Sequence, residues 1–236
     1  MAGFFITGTD TGVGKTRAAV ALMRFIQAQG FSVIGMKPVA SGCFWQGGEL
    51  RNDDAMQLMA NATVAVDYAK LNIYAFEPPV SPNIAAQSAG ETVKLESIVS
   101  NCRELEALAD CVVVEGIGGW EVPLNDRQRV SDLAFALQLP VIMVVGMKLG
   151  CLNHAFLTHA AMLRSGVAVT GWVANALAAD FPGSEENLKT LRSGLSSPCL
   201  GVIPFSPDAV GVEPKYFKER DFFTRNCEEI LLQLRV

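Results

Sequence analysis

Histidine is nearly absent from this chain. His154 and His159 are the only two, and a separation of five puts them on different helix faces, which argues against a zinc pair. The six cysteines (43, 102, 111, 151, 199 and 227) include no Cys-x-x-Cys pair. Cys111 and Cys199 fall inside apolar, strand-like runs, so reduced structural thiols are expected rather than a disulfide framework. No uninterrupted apolar run reaches the length of a membrane span, and no membrane partner is expected. There is no basic block and the net charge is −5, so nucleic acid is not an expected partner either. Met1-Ala2-Gly3 leads straight into a strand pattern with no basic stretch ahead of it, and a cytoplasmic location is expected. Internal repeats, low-complexity tracts and domain-parting linkers are lacking, so one domain over residues 1–236 is the expectation.

What is present is a large apolar fraction, 50% of the residues, arranged in alternating patterns. Strand-like runs cover 3–7, 31–36, 111–115, 140–145, 167–175 and 199–203. Helical spacing covers 15–29, 53–61, 91–109, 130–137, 151–164, 185–195 and 217–234. Strands apolar throughout, such as Cys111-Val112-Val113-Val114, are buried on both faces. The pattern predicts an α/β fold: a doubly wound, mainly parallel sheet with helices on both faces. Ligands collect beyond the carboxyl ends of such strands. Gly8, Lys37, Glu115, Lys148, Asn175 and Pro204 stand at those ends.

Gly8-Thr9-Asp10-Thr11-Gly12-Val13-Gly14-Lys15-Thr16 lies between the first strand and the first helix, the context that a phosphate-binding loop needs. Its glycines let backbone N–H groups approach phosphate oxygens, and the helix start adds a positive dipole end. Lys15 can reach terminal phosphates and the Thr16 hydroxyl can ligate Mg²⁺. Gly8 stands one residue early for the usual spacing, which would put glycine at Thr9, so the loop is a variant. A glycine-rich surface turn is the plainer alternative. Glu115 closes an apolar run ahead of Gly116-Ile117-Gly118-Gly119; it can hold Mg²⁺ or simply end a strand. Asp53-Asp54 opens a helix, and a capping role competes with a metal role. Lys37 precedes Pro38, which aims it rigidly; beside a phosphate loop it can offset charge at a γ-phosphate. Ser41 can bond a polar substrate or cap a turn. The helix start at Gly150 can take a carboxylate or be an ordinary loop. Trp45, Trp120 and Trp172 are read as packing or loop-cover residues.

Five segments together closely resemble the dethiobiotin synthetase family. They are residues 8–16, Lys37-Pro-Val-Ala-Ser-Gly42, Arg51-Asn-Asp-Asp54, Val114-Glu-Gly-Ile-Gly-Gly-Trp120 and Val145-Gly-Met-Lys-Leu-Gly-Cys-Leu-Asn-His154. The likeness continues through Gly171-Trp-Val-Ala-Asn175 to about Pro204 and thins beyond it. The resemblance implies an ATP- and Mg²⁺-dependent ligase that closes a cyclic urea from 7,8-diaminononanoate and CO₂. It implies a homodimer with each site near the subunit interface. Lys15 and the loop from Gly12 and Val13 through Gly14, Thr16 and Arg17 would hold the phosphates. Thr16, Asp54 and Glu115 would bind Mg²⁺, and Gly116, Ile117 and Gly118 would lie along the nucleotide. Lys37, with Lys15 and Thr11, would be catalytic; Thr11, Lys37 and Ser41 would face substrate. Asn175 would read adenine, with Ala176, Pro204, Phe205 and Ser206 around the base. Gly150, Cys151, Leu152 and Asn153 of a partner subunit would receive the substrate carboxylate. Two departures stand out: glycine at position 12, where some members carry glutamate, and Ile117, where alanine is commoner. Partitioning-type ATPases share the expected fold, but their signature lysine would fall at position 10, which is Asp10 here. An amide-forming synthetase of cobalamin synthesis would carry a further glutaminase domain, and none is expected here.

Overall fold

A computed structural model describes residues 3–206. The helical pattern at 217–234, the loop beyond Ser206 and Cys227 lie outside the described residues. In chain order the elements are β1 (Gly3–Gly8), α1 (Lys15–Ala28), β2 (Val33–Met36), β3 (Val39–Ser41), β4 (Phe44–Gln46), β5 (Glu49–Arg51), α2 (Asp53–Ala60), α3 (Tyr68–Leu71) and β6 (Tyr74–Phe76). There follow α4 (Pro82–Ser88), α5 (Leu95–Glu106), β7 (Cys111–Glu115), α6 (Val130–Leu137), β8 (Val141–Met147), α7 (Cys151–Arg164), β9 (Val169–Ala176), α8 (Ser184–Gly194) and β10 (Cys199–Ile203).

Six strands form one parallel sheet in the order β10-β9-β8-β1-β7-β2. Alternate residues of β1, β7, β8 and β9 enter different cores. Phe4, Ile6, Cys111 and Val113 pack with Ala18, Leu22, Met23 and Ile26 of α1. Phe5, Val112 and Val114 pack on the other face with Ile98 and Leu105 of α5 and Leu133 of α6. Helices therefore cover both faces, as the continuous apolar strands predict. Burying each large side chain of the α1 stripe is worth about 1.5–3 kcal/mol relative to exposure. All five described cysteines are unbridged.

Some expected boundaries move. The helix expected over 91–109 forms only over Leu95–Glu106. Residues 91–94 stay outside it: Lys94 is extended and its N–H donates to the Tyr74 hydroxyl at 3.1 Å. The strand expected from Phe31 begins at Val33, because Ser32 is occupied by Asp110 through its N–H and its hydroxyl. Residues 38–88 also hold elements that the periodicity does not announce. Here β3 pairs with β6 in a small parallel sheet, and β4 with β5 in a hairpin.

Candidate active site

The phosphate-binding loop is built by its glycines. β1 is buried along its whole length and delivers the chain at Gly8. Gly12 and Gly14 then take φ of +73° and +89°, the left-handed region open to glycine. Gly14 is the N-cap of α1; among the described residues no side chain caps that helix, and no acid stands in its first turn. The leading N–H groups thus keep their attraction for an anion. Lys15 is buried, and its ammonium donates to the Asp10 carbonyl at 3.1 Å.

The opposite wall comes from two other strand ends and one helix start. Lys37 follows β2, and its N–H donates to the Leu71 carbonyl at 2.8 Å. Its ammonium reaches Glu115 Oε1 at 2.6 Å, Asp54 Oδ2 at 2.9 Å and the Gly116 carbonyl at 3.2 Å. The Thr16 hydroxyl lies 2.7 Å from Asp54 Oδ1 and 3.1 Å from Glu115 Oε1. Four residues from four segments therefore meet at one point. Burial alone would push Lys37 down, but Glu115 and Asp54 outweigh it and hold the ammonium above the ordinary lysine value. Burial raises the Glu115 carboxyl even with Lys37 working against it. For Asp54, burial acts upward but Lys37 prevails, and its carboxyl is held low.

A capping role for Asp53 or Asp54 does not hold. Asn52 is the N-cap of α2, its side chain accepting the Ala55 N–H at 3.2 Å. Asp54, in the first turn, is left to face Thr16 and Lys37.

The donor set suits a hard divalent cation. Thr16, Asp54 and Glu115 offer only oxygen. Glu115 Oε2 is buried with no hydrogen-bond partner among the described residues, an acceptor left unspent. Lys15 and Lys37 are balanced by Asp54 and Glu115, so these four groups carry no surplus positive charge for a triphosphate. A divalent cation would supply it.

A cleft of about 690 Å³ opens between these walls. Thr11, Gly12, Gly14, Lys15, Thr16, Arg17, Lys37, Ser41, Asp54, Glu115, Ile117 and Gly118 all line it. Gly116 contributes through its carbonyl. Val13 is buried beneath the loop, and its carbonyl accepts from Asn175 Nδ2 at 2.9 Å. Asn175 is buried too, with its Oδ1 taking Arg17 at 3.3 Å; Arg17 also donates to the Pro204 carbonyl at 3.1 Å. In this structure, then, the Asn175 amide braces the loop. Ala176 and Phe205 line a second hollow of about 340 Å³ with Met147 and Phe181, and Ser206 follows at the end of the described residues. Gly150, Cys151, Leu152 and Asn153 do not line the main cleft. They start α7, and the loop before it is tied to the phosphate loop by Lys148–Asp10 at 3.1 Å.

Other lining residues went unread in the sequence: Ala40, Asn52, Gln57, Val122 and the run Pro79-Val80-Ser81-Pro82. The proline cluster from Pro78 to Pro82 was the available signal, since prolines at such spacing fix a wall without needing a strand or helix. Trp172 and Trp120 are packing residues, as read, whereas Trp45 is exposed on the β4–β5 hairpin, with its Nε1 donating to Glu77.

Burial first, and the Lys37 charge second, push the Lys15 ammonium down to about 8, with the nearby carboxylates opposing. A bound triphosphate favours the charged form, so proton and nucleotide bind together. ATP affinity without divalent cation is expected to fall as pH rises through about 8. Titration calorimetry from about pH 7 to about pH 9 checks this, and an unchanged affinity would contradict it.

The parallel sheet, the loop after its first strand and the lysine–carboxylate cluster facing it define a P-loop nucleotide-binding protein. Solved structures agree on the fold. The chain is similar to the MinC:MinD cell division protein complex of Aquifex aeolicus, with TM-score 0.59, 15% identity, and coverage of 100% of this chain and 94% of that one. It is also similar to the septum site-determining protein MinD complexed with Mg-ADP from Pyrococcus horikoshii, with TM-score 0.55, 13% identity, and coverage of 99% and 94%. A family model described as an AAA domain matches residues 2–213. Curated relatives are more specific. The ATP-dependent dethiobiotin synthetase BioD of Xanthomonas oryzae pv. oryzae is 47% identical over 87% of this chain and 92% of its own length. Proteins of the same name from Cellvibrio japonicus and Pseudomonas paraeruginosa are each 46% identical, over 85% and 89% of this chain and 88% and 92% of their own lengths. The chain belongs to the dethiobiotin synthetase family.

Proposed function

We propose that this protein is an ATP-dependent dethiobiotin synthetase, a ligase that closes a cyclic urea from 7,8-diaminononanoate and CO₂ with release of ADP and phosphate. The observation that carries this is the match to relatives of that name along 87% of the chain, with Lys37, Asp54 and Glu115 facing the phosphate loop. The reaction must bring two anions together. One substrate amine adds to CO₂ and gives a carbamate. A carbamate oxygen attacks the γ-phosphorus and displaces ADP, leaving a mixed carbamic–phosphoric anhydride. The second amine attacks the activated carbonyl and expels phosphate. No protein nucleophile takes part, so alignment and charge are what the chain supplies.

Lys15 and the backbone N–H groups from Gly12 to Arg17 hold the triphosphate. Lys37 stands at the cleft wall where carbamate and γ-phosphate would meet and offsets their repulsion. Thr11 and Ser41 line the same space and orient the diamine. Thr16, Asp54 and Glu115 would hold Mg²⁺, which when bound draws charge from phosphate oxygens. Gly116, Ile117 and Gly118 flank the nucleotide, and Arg17, Asn175, Ala176, Pro204, Phe205 and Ser206 border the base. To read adenine, Asn175 would exchange its bond to Arg17 for one to the base.

A homodimer completes the site. Residues 150–153 stand apart from their own chain's cleft, and their N–H groups would take the carboxylate of a substrate bound in a second copy. Leu149, just ahead of α7, and Leu157, in the middle of it, are 92% and 63% exposed and favour an interface along that helix. The assay is direct: protein, diamine, bicarbonate, Mg²⁺ and ATP are incubated, and cyclic urea is sought by mass spectrometry. Absence of product together with no diamine-dependent phosphate release would sink the proposal. Sedimentation under assay conditions tests the dimer, and a fully active monomer would remove it.

A further inference from the structure

We infer that Tyr68 is a positioning residue, and that its hydroxyl sets the distance between Lys37 and Asp54. This rests on the proposal above that those two groups belong to the reacting site.

Tyr68 opens α3 and is buried, outside the lining of the cleft. Its hydroxyl accepts the Asn52 main-chain N–H at 2.8 Å and donates to Asn72 Oδ1 at 3.0 Å. Asn72 Nδ2 then donates to the Lys37 main-chain carbonyl at 2.7 Å. Asn52 caps the helix whose first turn carries Asp54. Three hydrogen bonds in series thus join the backbone of one charged residue to the helix start that bears the other. Tyr68, Asn72 and Asn52 are all buried, so water does not replace a lost bond without cost.

The geometry explains why such a strut is useful. Lys37 lies just past the end of β2, and Asp54 sits at the start of a helix of 8 residues. Neither is inside a long rigid element, yet their side chains must meet at 2.9 Å and leave Glu115 within reach. A hydroxyl that both donates and accepts ties the two backbones at a fixed spacing. The ring does a second job: the Arg51 guanidinium lies over it, 4.2 Å from its centroid, which ties the β4–β5 hairpin to the same point. Phenylalanine at this position would keep the ring and its contact with Arg51. It would leave the Asn52 N–H and the Asn72 oxygen unpaired.

The test compares Tyr68→Phe, Asn72→Leu and the double variant with the unmodified protein. Dethiobiotin formation is measured alongside acetylation of Lys37 by acetic anhydride, followed by peptide mass spectrometry. Each single variant is expected to lose about ten- to a hundredfold in kcat, the usual effect of removing a group that orients a site residue. KM for ATP stays within about twofold, because the phosphate loop is untouched. The double variant falls no further than the worse single one, since both cut the same line. Lys37 acetylation becomes several-fold faster in all three. Wild-type kcat with unchanged acetylation, losses that multiply in the double variant, or a loss confined to KM would each overturn the inference. If Asn72→Leu does not fold, Tyr68→Phe decides alone through the kcat–KM split and the acetylation rate. If the unmodified protein makes no dethiobiotin, the proposed function fails, and acetylation still tests the strut.

Discussion

Lys37→Ala is expected to lower kcat by about a hundred- to a thousandfold or more while ATP binding changes little. The scale is that of removing one preorganised donor from a developing charge, about 3–4 kcal/mol of transition-state stabilisation. ATP binding is spared because the loop glycines, Lys15 and the start of α1 do not depend on Lys37 for their shape. The side chain nevertheless has a structural share. It neutralises Asp54 and Glu115, and Glu115 is 1% exposed. Breaking a buried pair by removing one partner costs about 3–5 kcal/mol when the other stays charged. Here the loss is softened, because burial already drives the Glu115 carboxyl upward and it can take a proton. The variant is therefore expected to fold, with a lower Tm that partly recovers in Lys37→Ala/Glu115→Gln, while activity does not recover. Stopped-flow turnover, nucleotide calorimetry and thermal melting separate the three effects. Loss of ATP binding with turnover retained at saturating ATP would remove Lys37 from the chemistry.

Much of this site was legible because its residues sit at the ends of strands with strong local signals. The apolar runs before Gly8, Glu115 and Asn175 mark buried parallel strands from short stretches of sequence alone, and topology then gathers their ends. Asp53-Asp54 is ambiguous for a physical reason: an acid at a helix start can cap it or face away, and only the tertiary contacts of Asp54 with Thr16 and Lys37, with Asn52 as the cap, decide between them. The strands at Val39–Ser41 and Tyr74–Phe76 were not legible because three residues are too few for a period, and each forms only by pairing with the other. The start of α5 is not legible because Val93 fits a helical stripe yet enters the core from the segment ahead of the helix. The Tyr68–Asn72–Asn52 line is invisible to pattern reading, since its members are polar and lie in short elements with no period of their own.

Gly14 illustrates a contact across the whole fold that the loop motif alone understates. The motif explains a glycine there by backbone freedom, and φ is indeed +89°. The structure adds a steric reason. A Cβ on Gly14 would lie 2.2 Å from Asn175 Nδ2, whereas a Cβ on Gly12, at φ +73°, would meet nothing within 4 Å among the described residues. Asn175 has nowhere to retreat: it is 1% exposed and holds Val13 and Arg17. Gly12→Ala therefore carries only left-handed strain, about 1–2 kcal/mol. Gly14→Ala carries that strain and must also move the loop or Asn175 by about an ångström, the scale of misplacement that costs about a hundredfold in rate. Gly14→Ala is expected to lower kcat/KM for ATP by about a hundredfold or more, and Gly12→Ala by much less. In Gly14→Ala/Asn175→Ala the clash is gone but so is the brace on Val13, so recovery is partial at most. Calorimetry with ATP and steady-state rates on the three variants check the order. Equal losses at Gly12 and Gly14 would mean that backbone strain, and not the contact with Asn175, dictates the loop.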